Sequence, residues 1–166
     1  EDMGTSVSDM SVVQRTCAYV SGRDPKEGGG GDPSPLTALG VFVGMRACLE
    51  RAFGSPDFNG RHVVIQGVGN VGKHLARLLS EAGARLTVAD RREESAKQAA
   101  KDFSAQVCGV EEVFDCEADI FAPCAIGGIL NPATVARLKT RIVAGAANNQ
   151  LLTDGVAAQL QQKGIL

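Results

Sequence analysis

Gly67-Val68-Gly69-Asn70-Val71-Gly72 sets three glycines at the spacing G-x-G-x-x-G, with an all-apolar run before it and an amphipathic run after it. Such a hexamer is a weak signal alone, because glycine-rich stretches arise often by chance. Its surroundings give it chemistry. Gly67 permits a tight strand-to-helix turn, Gly69 lets a diphosphate approach the backbone, and Gly72 lets the following helix pack close to the sheet. The unpaired N–H groups and positive dipole end of that helix would hold the diphosphate. The candidate contacts are Gly67, Val68, Gly69, Asn70, Val71, Gly72 and Lys73.

Asp90 follows Gly72 at close to the interval of about 20 residues expected for the acid that grips an adenosine ribose. A carboxylate there repels a 2′-phosphate and favours NAD over NADP. Arg91 and Arg92 complicate that preference, since a neighbouring arginine can accommodate the phosphate; the reading preferred here is two solvated charges at a helix start. Pro123-Cys124-Ala125 and Asn148-Asn149 close two later apolar runs. In open α/β sheets ligands bind beyond the carboxyl ends of strands, so both groups are placed to meet the nicotinamide half. A loop asparagine bonding its own backbone is the plainer account of Asn148. Cys124 has no base visible in the sequence, and a buried thiol explains it better than a nucleophile.

The elements that must position these residues alternate. Apolar runs predict strands at 63–65, 86–89, 105–107, 120–122 and 142–144. Periodic stretches predict helices over 70–82 and 93–103, one capped by Asn131 running to about Lys139, and one capped by Thr153 that stops at Gly164. The fold class is therefore α/β, a doubly wound parallel sheet of the Rossmann type. Upstream, Ser34-Pro35 predicts an N-cap and the start of a helix to about Phe53, apolar on most faces and expected to be buried on several sides. Residues 28–31 are four consecutive glycines flanked by prolines and read as a surface loop, not a phosphate cradle. Residues 7–19 are expected to be helical. Gly164-Ile165-Leu166 reads as a helix stop and the opening of a sixth strand.

Composition excludes several function classes. The 166 residues carry 17 basic and 19 acidic side chains, for a net charge of −2, and the charges are interspersed. With aromatics at 4%, neither a nucleic-acid partner nor a membrane-surface patch is expected. No apolar run reaches the roughly 20 residues needed to cross a bilayer. Five cysteines without a CxxC pair fit a reducing, cytoplasmic compartment. With only His62 and His74, no metal site is expected.

Several stretches together resemble the glutamate/leucine/phenylalanine/valine dehydrogenase superfamily, most closely its leucine dehydrogenase branch. They are Glu1-Asp2-Met3-Gly4-Thr5, Asp32-Pro33-Ser34-Pro35-Leu36-Thr37-Ala38, Gln66-Gly67-Val68-Gly69-Asn70-Val71, Ala122-Pro123-Cys124-Ala125 and Ala144-Gly145-Ala146-Ala147-Asn148-Asn149-Gln150. The resemblance implies NAD-dependent oxidative deamination of an L-amino acid to its 2-oxo acid, leucine being favoured, in an enzyme that is a homo-oligomer. It puts the catalytic carboxylate on Asp2, and sets Thr37 and Asn148 toward the nicotinamide. Cys124, Ala125 and Ala146 fall in its cofactor-lining stretches.

The family's two catalytic lysines have no counterpart here, nor does the asparagine-and-glycine stretch after the sixth strand. The expectation is thus a central piece of a longer enzyme, with residues 1–33 the tail of a substrate domain plus a linker and residues 34–166 the dinucleotide-binding domain. Such a piece supplies the cofactor wall and is inactive alone. A non-catalytic NAD-binding module is the alternative from another function class. A further Rossmann oxidoreductase, such as a hydroxyacid dehydrogenase, lacks support because no catalytic histidine–acid pair is visible.

Overall fold

The computed structural model describes residues 4–166. Its centre is one five-stranded, all-parallel sheet: β1 (His62–Gln66), β2 (Arg85–Ala89), β3 (Gln106–Val107), β4 (Ile120–Pro123) and β5 (Ile142–Val143), in the order β3-β2-β1-β4-β5. The helices are α1 (Val7–Gln14), α2 (Ser34–Phe53), α3 (Asn70–Glu81), α4 (Glu93–Phe103), α5 (Pro132–Arg137) and α6 (Gly155–Gln162). Chain order jumps from edge strand β3 to β4 beside β1. That reversal puts a crevice at the carboxyl edge between β1 and β4, where doubly wound sheets bind ligands. Leu166 extends the pattern: its N–H donates to Arg141 O at 3.0 Å and its carbonyl accepts from Val143 at 2.8 Å. These bonds lie on the far side of β5, where a sixth strand was expected.

Strand alternation sorts the core into two layers. Val63 and Ile65 of β1, with Leu86, Val88, Ile120 and Ala122, face α2, α3 and α4 through Ala38, Met45, Leu49, Leu75, Ala76, Leu79 and Ala99. Val64, Ala89 and Phe121 face the other way, against Val113 and Phe114 of a 3-10 turn (Glu112–Asp115) and against Val135, Val156 and Ile165. Thr87, a buried polar strand residue on this second face, is satisfied by His62, whose Nε2 lies 2.8 Å from its hydroxyl.

The periodic helices α3 and α4 lie where the apolar spacing puts them. Other expectations need correction. The first helix stops at Gln14 instead of Tyr19 and buries none of its residues. Pro33, not Ser34, occupies the cap position of α2, while Asp32 accepts from Ser34 N–H at 2.8 Å. α2 is buried on one face only, with Leu36 (75% exposed), Leu39 and Val43 outward. Its apolar residues outnumber the positions that α3 and the sheet cover. α5 ends at Arg137, where the Lys163 ammonium donates to the carbonyls of Val135, Ala136 and Leu138. Thr153 does not cap α6; Asp154 holds that position, and Thr153 accepts through its main-chain carbonyl. The 3-10 turns at Pro25–Glu27 and Glu112–Asp115 are too short for apolar periodicity to announce.

Leu75 has no exposed surface and joins α3 to the first layer. Leu75→Ala is expected to cost about 2–5 kcal/mol, read as a lowered urea midpoint with an unchanged slope.

Candidate functional site at the carboxyl edge

β1 delivers the chain to a turn at Gly67, whose φ of 92° is open to glycine alone among common residues. The turn is pinned from both neighbouring strands: Gly67 N–H donates to Ala89 O at 2.7 Å, and Cys124 N–H donates to Gln66 O at 2.7 Å. A Cβ at Gly67 would lie 2.9 Å from the Ala125 backbone nitrogen and from its Cβ. Gly72 is more constrained still. A Cβ there would lie 1.9 Å from the Gly67 carbonyl oxygen. The third glycine thus serves the approach of α3 to the turn itself, with Cys124 of the sheet next in line at 3.5 Å.

Gly69 is the opposite case. A Cβ added there meets no atom of the described residues within 4 Å, and Gly69 caps α3 without any side-chain cap bond. The first turn of α3 therefore opens onto free space with its N–H groups available. Asn70 is exposed and Val71 half-buried, while Lys73 lies on the outward face, 3.6 Å from Asp102 of α4.

Asp90 stands past the end of β2. Its Oδ2 accepts from Val68 N–H at 2.9 Å, its Oδ1 accepts from Arg92 N–H at 2.8 Å, and its side chain is only 12% exposed. The carboxylate is thereby fixed against the glycine turn. The Arg92 guanidinium leans back to 3.9 Å from the same oxygen while remaining mostly in solvent. Next to the turn, Gln66 is buried and its Oε1 has no hydrogen-bond partner among the described residues. Sequence reading passed over Gln66, because a glutamine ending an apolar strand has no periodic signature.

The other wall is two loops held together. Ala146 and Ala147 N–H groups both donate to Pro123 O at 2.9 Å, Gly128 N–H donates to Asn149 O at 2.7 Å, and Leu130 N–H donates to Gln150 O at 3.0 Å. Gly145 and Gly127 allow this contact: a Cβ at the first would fall 2.2 Å from Pro123 O, and at the second 1.9 Å from the Asn149 amide oxygen. Asn148 is exposed on the rim of a hollow of about 420 Å³ that it shares with Leu130, Val143, Leu160 and Leu166. Thr37 is exposed on the first turn of α2, its hydroxyl donating to Pro33 O at 3.0 Å.

Burial pushes the Cys124 thiol up to about 11, with the Ala146 N–H working weakly the other way. It is a neutral thiol at pH 7, as expected of a packing residue. Asp2 lies outside the described residues. Among the described residues no group of three or more His, Cys, Asp or Glu is placed to hold a metal, and no helix is long and apolar enough to cross a membrane. A larger hollow of about 660 Å³ sits at the opposite, amino edge of the sheet, lined by His62, Arg85, Lys139 and Arg141, and takes no part in this site.

Residues 28–92, from the glycine loop to Arg92, match the family model for Glutamate/Leucine/Phenylalanine/Valine dehydrogenase. The whole chain is 44% identical to leucine dehydrogenase of Thermoactinomyces intermedius, and 99% of it is 46% identical to valine dehydrogenase of Streptomyces virginiae. This chain belongs to that family. It spans about half the length of these relatives, 45% and 47% respectively. The crystal structure of L-tryptophan dehydrogenase from Nostoc punctiforme superposes on 82% of the chain with a TM-score of 0.80 at 44% identity, and the match covers 42% of that protein. Residues 62–124 also match a model described as NADP oxidoreductase, coenzyme F420-dependent. That stretch runs from β1 to the end of β4, the part of a Rossmann sheet that unrelated oxidoreductases share.

In this family member, Gly72→Ala is expected to force α3 away from Gly67 and to lower stability by about 1–3 kcal/mol, measured by thermal melting. For Cys124, the raised thiol predicts slow alkylation by iodoacetamide at pH 7. The rate, followed by peptide mass spectrometry, should climb about tenfold per pH unit and level only near pH 11, where the raised thiol titrates at about 11.

Proposed function

We propose that the carboxyl edge binds NAD, and that it serves the reversible oxidative deamination of a branched-chain or aromatic L-amino acid, leucine foremost, to the 2-oxo acid. Asp90 carries the reading. A carboxylate fixed beside the glycine turn, mostly buried and already aligned by two backbone N–H groups, suits a pair of ribose hydroxyls and opposes a 2′-phosphate. The space over Gly69 and the uncapped start of α3 suit a diphosphate. In this reading Gly67, Val68, Gly69, Asn70, Val71 and Gly72 form the diphosphate turn with Lys73 on its flank. Cys124, Ala125, Ala146, Asn148 and Thr37 line the nicotinamide side.

When bound, NAD supplies the hydride acceptor. This chain's own residues orient the ring and shut out water along the wall formed by the two joined loops, where fixed geometry contributes much of the rate. Asp2 exchanges protons with the substrate nitrogen. Residues 34–166 act as the cofactor domain, and residues 1–33 as the tail of a substrate domain plus linker. The exposure of α1 and of Tyr19, which is 97% exposed, suits a segment whose packing partners lie elsewhere. The polarising and carboxylate-binding lysines expected of the family belong to that substrate domain. The enzyme is proposed to be cytoplasmic and homo-oligomeric. Leucine and valine dehydrogenases among the relatives support an aliphatic substrate, and the tryptophan dehydrogenase keeps aromatic ones in view.

Calorimetry with NAD and NADP tests the cofactor assignment. The unmutated chain should prefer NAD, and Asp90→Ala should erase that preference; equal affinity for both before mutation overturns it. Gly69→Ala should weaken NAD binding by about tenfold or more, roughly 1.4 kcal/mol, while leaving the melting temperature nearly unchanged. The 166-residue chain alone should form no NADH from leucine, valine or phenylalanine. A robust rate would remove the assignment of substrate chemistry to a separate domain.

A further inference from the structure

The amino edge of the sheet carries a hollow that the nucleotide site does not use. Its volume of about 660 Å³ falls within the range of small-molecule sites. Its floor is a single row of residues at the amino ends of four strands. His62 pairs in register with Arg85, Asp119 N–H donates to His62 O at 2.9 Å, and Arg141 N–H donates to Asp119 O at 3.2 Å. The row therefore reads Arg85, His62, Asp119, Arg141, with an arginine at each end. Glu117, Lys139, Thr140 and Lys163 stand around it.

Most polar groups of this lining are spent on one another. The His62 ring lies 2.8 Å from Glu117 O through Nδ1 and 2.8 Å from the Thr87 hydroxyl through Nε2. Asp119 accepts from His62 N–H at 2.8 Å and from Arg61 at 3.3 Å, so the acid inside the row is already answered. The Thr140 hydroxyl is taken by the carbonyls of Asp119 and Ile142, and the Lys163 ammonium by the three carbonyls that close α5. What is left is charge. Arg85, Lys139 and Arg141 are exposed and form no ion pair among the described residues. Arg85 makes one long bond, 3.4 Å from its Nε to Gly60 O. Against these cations stands Glu117, an exposed acid that also has no ion pair among the described residues. In a chain of net charge −2 this is a local excess of positive charge, and a concave wall concentrates its field.

The two arginines belong to β2 and to the approach to β5, three strand spacings apart, or roughly 14 Å at the backbone. A guanidinium presents a planar fork that matches a phosphate through two parallel bonds, and a phosphate at one end leaves the other arginine unused. We infer that the amino edge is a binding site for a small elongated anion with a phosphate group at each end. Arg85 holds one phosphate, Arg141 holds the other, and Lys139 adds a third cation. Recognition here is by side-chain charge, whereas the glycine turn at the other edge offers backbone N–H groups. The Glu117 carboxylate opposes the anion and limits its affinity.

Calorimetry of the 166-residue chain with inorganic tripolyphosphate at physiological salt tests the site. Saturable binding is expected, and inorganic phosphate, which reaches one end only, should bind at least about tenfold more weakly. Arg85→Ala and Arg141→Ala should each weaken tripolyphosphate binding by about tenfold, with the circular dichroism spectrum unchanged. Glu117→Gln should tighten it by about twofold or more, a gain that a damaged fold does not produce. Gly69→Ala, which alters the turn at the opposite edge, should leave the affinity as it was. Absence of saturable binding overturns the inference, and so does equal affinity for phosphate and tripolyphosphate. Loss of binding in Gly69→Ala with both arginine variants unaffected also overturns it, because the probe then sits at the glycine turn.

Discussion

The close approach of α3 to the carbonyl of Gly67 is the constraint on which the rest of the carboxyl edge depends. With no Cβ at Gly72, the helix begins directly over the strand-to-helix turn, and its first N–H groups point into the space above Gly69. Any side chain at position 72 would lift the helix from β1 and β4 together, because Cys124 stands immediately behind the Gly67 carbonyl. The same approach brings Val68 N–H to Asp90. A packing requirement and an electrostatic one are thus met by a single backbone path. Close-packed interiors tolerate such paths only when each neighbour is fixed.

That arrangement separates the two ends of the sheet by chemistry. At the carboxyl edge lie a partly sequestered carboxylate, a helix start without a side-chain cap and a buried amide oxygen at Gln66 without a partner among the described residues. At the amino edge, polar groups answer one another: Asp119 accepts from His62 N–H at 2.8 Å and from Arg61 at 3.3 Å, and His62 meets Thr87. An unpaired polar atom in a protein interior costs about 1–3 kcal/mol. Among the described residues such an atom is present at one edge and not the other, the pattern expected where stability yields to binding.

The parts of the fold that follow from periodicity were legible. α3 and α4 carry strong amphipathic spacing, and the strands other than the exposed edge strand β3 are short apolar runs covered on both faces, so their order and direction could be read before any coordinates. The glycine turn and Asp90 were legible for a different reason, since each needs one residue type at one place. What escaped was whatever depends on partners distant in sequence. α2 is apolar on most faces, and only tertiary packing decides that Ala38, Met45 and Leu49 face inward while Leu36 and Val43 do not. Gln66 and the zipped loops behind Gly127 and Gly145 leave no local trace either. Asp2 shows the reverse situation, a role suggested by likeness alone at a position outside the described residues.

The bonds that join the loop after β4 to the loop after β5 have a consequence for motion. Gly128, Leu130 and Leu152 each donate a backbone N–H across that seam, and Ala146 and Ala147 anchor its base at Pro123. Neither loop can open while the other stays closed, so their amides should exchange with solvent as one cooperative unit. That wall is then less a pair of flexible segments than a single plate. Its closest approaches are at Gly127 and Gly145, where a Cβ would collide with Asn149 and Pro123 respectively.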